Sequence, residues 1–335
     1  MGRAHNLVER YEEDLFLVKG TAGWSAVVLL LAGLVALPLF LPRWGLGYLL
    51  FIGILMAANV IVAVGLNLLV GFTGLISLGH GGFVAIGAYA SGLLAARADL
   101  PWYVAWMGAA AISAGFGFLV GLPALRLTGP YLAIATLGFG IAVYQVLTNW
   151  TALSGGRMGL AVEPLSLGIG GLTSTQELYY VAVAAAVLLC WVAFNLVRSH
   201  VGRALVAIRD SDIAATVAGV NLTRYKTLAF AVSAAYAGTA GAVVAQALRH
   251  LEPQSFTFLE SVTYLAMIVV GGLGTVPGAI VGAAVLTVLP HYLSGAKQWL
   301  PILYGGAILL MMAIEPRGLY GRWLRIKWYF KTWPL

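Results

Sequence analysis

The chain has 335 residues, of which 61% are hydrophobic and only 9% charged, with a mean hydropathy of +0.93 and a formal net charge of +7. A soluble domain carries about 25% charged residues, so water cannot be the solvent for most of this chain, and lipid takes its place. The apolar runs are continuous rather than alternating, which excludes a membrane β-barrel.

Residues 1–23 are polar and of mixed charge, with "ERYEEDLFLV" at their centre. No basic segment runs directly into a short apolar core, so no cleaved signal peptide is expected. The stretch reads equally as a short amphipathic helix on the membrane surface or as a solvated tail. The segment 24–315 then reads as one transmembrane domain. A span needs about 20 apolar residues, and its backbone must be satisfied internally, as in a helix. Ten runs qualify, at about 24–42, 46–70, 80–97, 102–124, 130–149, 178–197, 226–248, 258–272, 278–293 and 300–315. The expected fold is an all-α polytopic membrane protein with about ten transmembrane helices. Cys190, the single cysteine, lies inside the sixth run, which excludes an internal disulfide or a cysteine metal cluster. It reads as a small core side chain.

Two of the runs are broken by glycine. "GFTGLISLGHGGFVAIGAYA" (71–90) lies in the first half, and "VVGGLGTVPGAIVGAAV" (269–285) in the second, as a loose echo. Paired breaks are a sequence pointer to a substrate pathway in transporters built from repeats. The alternative is close helix packing through small residues. The candidate pathway residues are Gly74, Ser77, His80 and Gly81 at the first break, and Gly271, Gly272, Gly274 and Thr275 at the second. His80 would bind substrate or hold the broken backbone, with the structural role preferred. Ser77 and Thr275 read first as caps for freed carbonyls. Pro277 reads as a helix start. Glu260, the only acid inside an assigned span, reads as a solvated interface carboxylate. Pairing with Arg249 or contact with a partner are the other readings.

Between the sixth and seventh runs lies the most charged stretch in the body of the chain, Arg198 to Lys226, with seven charges. It cannot cross lipid, since each Arg or Asp at a helix centre costs roughly 2.5–3.5 kcal/mol. It still has helical order. Arg203, Leu205 and Ile208 fall in one helix. Asp210 or Ser211 caps a second, which carries Asp212, Ile213, Ala214, Ala215 and Val217. Gly219 stops it, and Thr223 is placed to cap the following span. An apolar face left over among charges needs a partner. Lying on lipid is the alternative, against which Asp210 and Asp212 argue, because the inner leaflet is anionic.

Alternating the spans puts both termini and this loop (199–225) on one side. That side holds three basic residues in the N-terminal tail, Arg126, five between Arg198 and Lys226, and five after Pro316. The other side has Arg43, Arg97, Arg157, Arg249 and Lys297. The excess makes the loop cytoplasmic. The tail 316–335 mixes bases with tryptophans and suits an anionic leaflet. "NWTALSGGRMGL" (149–160) then lies outside, where Trp150, Gly155, Gly156 and Arg157 suit either a loop docking on a binding protein or an ordinary loop. The net charge reflects this asymmetry, and no nucleic-acid partner is expected.

The segment "GRALVAIRDSDIAATVAGVNLTRYK" resembles the cytoplasmic coupling loop of ABC importer permeases, with Ala214-Ala215-x-x-x-Gly219 matching the Ala-Ala-x-x-x-Gly part of that motif. Ile213 stands where the motif has a glutamate. "GLNLLVGFTGLISLGHGGFVAIGAYASGLL", "GPYLAIATLGFG", "NWTALSGGRMGL" and "MIVVGGLGTVPGAIVGA" resemble the branched-chain amino acid permease class of the LivM type. The resemblance covers roughly residues 45–315. It implies a type II-like importer permease fold in pseudo-repeated halves, in a bacterial inner membrane. It further implies a second homologous permease, two ATPase subunits bound to the coupling loops, and a periplasmic solute-binding protein. Branched-chain or other hydrophobic amino acids are the implied substrate, with urea, short amides or sugars as the alternative.

The residues themselves contain no G-x-x-x-x-G-K-[ST] phosphate loop, so ATP hydrolysis is expected on other chains. An ion-coupled transporter would need intramembrane carboxylates, and an intramembrane enzyme would need a nucleophile or metal motif. Glu260 alone meets the first need, which leaves the ion-coupled transporter a lower-ranked alternative; the second pattern does not occur, and no cofactor or metal site is expected.

Overall fold

The computed structural model describes residues 21–127, 129–165, 172–292, 299–315 and 318–332. The tail 1–20 and two residues of the basic count, Lys297 and Arg317, lie outside that set. The chain divides into two units, Met1–Leu50 and Phe51–Leu335. In the first, helix α1 (Thr21–Phe40) runs into a 3-10 turn, Leu41–Trp44, closed by Gly45 at φ 72°.

Helix α2 (Tyr48–Thr73) opens the main bundle, followed by α3 (His80–Ala98), α4 (Trp102–Ala124) and α5 (Pro130–Asn149). A helical turn, Thr151–Ser154, and strand β1 (Leu160–Ala161) precede α6 (Ser174–Arg198). Two short helices follow, α7 (His200–Asp210) and α8 (Asp212–Val217), and then α9 (Leu222–Leu248) and strand β2 (His250–Leu251). The chain continues through α10 (Phe258–Gly271), α11 (Val276–Tyr292), α12 (Leu300–Ile314) and α13 (Gly318–Thr332).

Among the described residues, seven helical segments are long and apolar enough to cross a membrane: α2 to α6, α9, and Pro253–Gly271, which contains α10. Helix α11 and the core of α12 are apolar but shorter. The spanning windows of α2, α3 and α9 are 67%, 61% and 67% buried, against 22% for α5 and 17% for α6, so the core is built on the first three. Small residues let these helices approach closely. A Cβ at Gly238 in α9 would lie 2.6 Å from the Ser113 Cβ in α4, and one at Gly87 in α3 would strike the Gly238 backbone.

Two helix starts fall about four residues earlier than expected, and each has a cap that explains it. Thr173 and Gln176 form a reciprocal capping box at α6, with the Thr173 N–H donating to Gln176 Oε1 at 2.8 Å. Helix α9 is capped by Asn221, whose side chain accepts from the Arg224 N–H at 3.0 Å. Thr223, expected as that cap, lies inside the helix. Glu177, left outside the predicted span, is thereby drawn into α6, where it is buried.

Candidate functional site

Helix α2 stops at Gly74, which adopts φ 74° while the Leu75 N–H reaches back to Leu69 O at 3.3 Å. Residues 74–79 then run without helical order, and α3 begins at His80. His80 is fully buried. Its Nε2 lies 2.8 Å from Ser233 Oγ, and Ser233 Oγ donates to Gly65 O at 2.6 Å. The serine proton is thus used, so His80 donates from Nε2 and its Nδ1 accepts from Ser77 Oγ at 3.1 Å. Gly65 precedes Thr73 by eight residues, about 12 Å of helix. Through Ser233, the His80 side chain is therefore tied to a level of α2 about two turns before its end. Irregular backbone is tolerated at such depth only where protein satisfies it. The Leu78 N–H donates to Thr136 Oγ1 at 3.0 Å, and the Gly81 N–H to Ser261 Oγ at 2.9 Å.

The second break separates α10 from α11. Gly272 has φ 137° and Gly274 φ 72°, and Thr275 Oγ1 donates to Gly272 O at 3.0 Å. Gly271 packs directly against the backbone of Gly278 and Gly282. One residue of α2 ties that helix to this break. Asn67, fully buried, accepts from the Gly274 N–H at 2.9 Å and donates from Nδ2 to Thr275 O at 2.8 Å. Arg209, the penultimate residue of α7, reaches the same place. Its Nη1 donates to Gly71 O at 3.0 Å, beside Gly274.

The eight pathway candidates thus fall into two clusters. Gly74, Gly271, Gly272, Gly274 and Thr275 gather around Asn67 and Arg209, while Ser77, His80 and Gly81 lie deeper. Neither Asn67 nor Arg209 was singled out from sequence. A lone asparagine in the apolar run "GLNLLVGF" was the available signal for the first. The Gly71 carbonyl that Arg209 meets lies 138 residues away in sequence, beyond any local pattern.

The charged loop is folded by its own caps. Ser199 accepts from the Val201 N–H at 3.1 Å, and Ser211, rather than Asp210, accepts from the Ala214 N–H at 3.2 Å. Leu205 and Ile208 turn inward and are buried, as is Ala215 at 2% exposure. The uncovered apolar face is therefore narrower than expected. It consists of Ile213 and Val217, 80% and 85% exposed, with Ala214 beside them. Gly219 ends α8 at φ 84°. Asp212 pairs with Lys226 Nζ at 2.6 Å, and Lys226 is 4% exposed. Arg203 and Asp210 are exposed.

At the opposite end of the bundle the remaining loops meet. Arg97 Nη2 donates to Ala152 O at 2.5 Å, β1 pairs with β2 through Leu160 and Leu251, and Arg249 Nη2 donates to Ser174 Oγ at 2.9 Å. Trp150 and Arg157 are exposed there, while Gly155 and Gly156 take φ 75° and 61°. Among the described residues no ion pair links Glu260 to Arg249. An open apolar pocket lies between α4 and α5, lined by Phe116, Leu119, Leu132 and Phe139 among others, with Thr136 at its edge.

Long apolar helices, irregular backbone buried within the bundle and a charged loop joined to it define a polytopic membrane transport protein. The chain belongs to the family described as the branched-chain amino acid transport system permease component, whose model matches residues 48–314. It is 38% identical to the high-affinity branched-chain amino acid transport system permease protein LivM of Salmonella typhimurium over 284 residues, 78% of this chain and 67% of the relative. The LivH permease protein of Escherichia coli is 24% identical, over 78% of this chain and 91% of its own length. The galactose/methyl galactoside import permease protein MglC of Haemophilus influenzae is 27% identical over 65% of this chain. No solved structure matches the chain.

Proposed function

We propose that this chain is the transmembrane permease subunit of an ATP-driven ABC importer that carries branched-chain or related hydrophobic amino acids across a bacterial inner membrane. It works with a second homologous permease, two cytoplasmic ATPase subunits and a periplasmic solute-binding protein. Ten spans in two pseudo-repeated halves put both termini and the α7–α8 loop in the cytoplasm. The loop engages an ATPase through Ile213, Ala214 and Val217, and the end carrying Trp150 and Arg157 receives the binding protein. Substrate passes beside the two glycine breaks.

The observation that carries this reading is the family match over residues 48–314, together with 38% identity to a branched-chain permease against 27% to a galactoside permease. The uncovered Ile213–Val217 face supports the ATPase contact, since two apolar side chains so exposed beside a charged loop fit an interface. The test is purification of the tagged chain from its native membrane. A second permease and ABC ATPases should co-purify. Proteoliposomes of the complex with the binding protein should take up labelled leucine only when ATP is supplied. ATP-driven uptake by this chain alone, or a native complex without an ATPase, overturns the proposal.

A further inference from the structure

Arg209 occupies an unusual position. It belongs to the loop outside the membrane spans, yet its guanidinium lies where two of those spans end. Helix α2 stops at Thr73 and α10 at Gly271, so the carbonyl ends of two helices converge there. Such ends carry partial negative charge, and a cation between them is favoured. Gly71 O belongs to the last turn of α2, whose carbonyls lack helical partners, and Nη1 of Arg209 supplies one at 3.0 Å. The neighbouring glycines make room for the side chain. A Cβ at Gly74 would lie 3.2 Å from Arg209 Cγ, and one at Gly274 3.1 Å from Nη1. Nη2 lies 3.4 Å from Asp210 Oδ1, an exposed pair that adds little.

The other end of this link is equally defined. Arg209 sits on α7, which is seated against the chain through buried Leu205 and Ile208. Ser211 follows two residues later as the cap of α8, which presents Ile213 and Val217 outward. A short, capped connection thus joins α8 to a side chain that touches both breaks. Asn67 holds the second break to α2 within the membrane spans, and Arg209 reaches both breaks from the loop.

We propose that Arg209 is the positioning residue through which the α7–α8 loop sets the two glycine breaks during transport. This rests on the reading that α8 docks on an ATPase. Arginine suits the role because its planar fork reaches a carbonyl while the stem packs on glycine, which a lysine ammonium does only in part.

The experiment uses the whole complex in proteoliposomes, with Arg209→Ala and Arg209→Lys beside the wild type. Spin labels at Ile76→Cys and Leu273→Cys, both 40% exposed and within the breaks, report their separation in a cysteine-free background. The alanine variant should assemble. Substrate transported per ATP hydrolysed should fall on the order of ten-fold, the scale of one lost charge-assisted hydrogen bond. The lysine variant should fall between alanine and wild type. The label separation should change with ATP in the wild type but not in Arg209→Ala. Wild-type stoichiometry and an ATP-dependent separation in Arg209→Ala overturn the inference while leaving the proposed function intact. Loss of ATPase attachment in both variants also overturns it, since Arg209 would then serve docking alone. A wild-type complex without ATP-dependent uptake fails at the proposed function and takes this inference with it.

Discussion

Replacing Asn67 with leucine removes the amide that ties α2 to the Gly274–Thr275 backbone, at nearly constant side-chain length. The Gly274 N–H is then left without its acceptor, while the Thr275 carbonyl loses one donor and keeps the Ala279 N–H at 3.2 Å. One orphaned donor costs about 1–3 kcal/mol and the second lost hydrogen bond about 0.5–1.5 kcal/mol, so the change costs about 1.5–4.5 kcal/mol before relaxation. Relief by repacking is limited, because a Cβ at Gly71 would already strike the Asn67 side chain, leaving little room for a branched leucine. Asn59 provides the control within the same helix. Its Nδ2 donates to Thr287 Oγ1 at 2.9 Å, but that hydroxyl itself donates to Ala283 O at 2.6 Å and stays satisfied. Asn59→Leu should therefore cost only about 0.5–1.5 kcal/mol, one ordinary hydrogen bond. The assay is thermal unfolding of the purified protein in detergent, followed by fluorescence. The expected order of melting temperature is wild type, then Asn59→Leu, then Asn67→Leu clearly lowest. Equal losses for the two leucine variants would refute the claim that Asn67 holds the second break.

The Asp212–Lys226 pair yields a prediction of sign. Asp212→Asn alone strands an ammonium that is 4% exposed, so it should destabilise more than the double change Asp212→Asn with Lys226→Met, again read by thermal unfolding. Gly219→Val places a β-branched residue at φ 84° with no atom within 4 Å of its Cβ, so its cost is conformational, roughly 1–2 kcal/mol. The variant should insert normally but bind ATPase subunits more weakly in co-purification. Cysteines at Val217 and Arg157, both exposed, test orientation with an impermeant maleimide on intact cells. Reaction at 157 but not at 217 is expected, and the reverse pattern inverts the assigned topology.

The apolar runs were legible because lipid leaves the backbone one solution, and each run expected within residues 46–293 overlaps a helix. The breaks were legible because the chain needs glycine to turn as Gly74 and Gly274 do. The start of α6 was readable in principle, since "TSTQ" is a capping-box pattern, but the hydropathy of the run outweighed it. Which face of the loop stays open could not be read. Leu205, Ile208, Ile213 and Val217 are alike in sequence, and only the packing of α7 on the chain separates the first two from the others. Asn67 was hidden for a related reason, since its partners are backbone groups more than 200 residues away.

The caps at Ser199, Ser211 and Asn221 bear on how an ATPase would meet this surface. Three side-chain oxygens within 23 residues each satisfy a helix start, so the loop holds its shape without help from a partner. Association then carries no folding cost for this loop, and contact becomes the docking of two finished shapes. A partner that left would find the same surface on its return, and exchange would be timed by release rather than by rebuilding the loop.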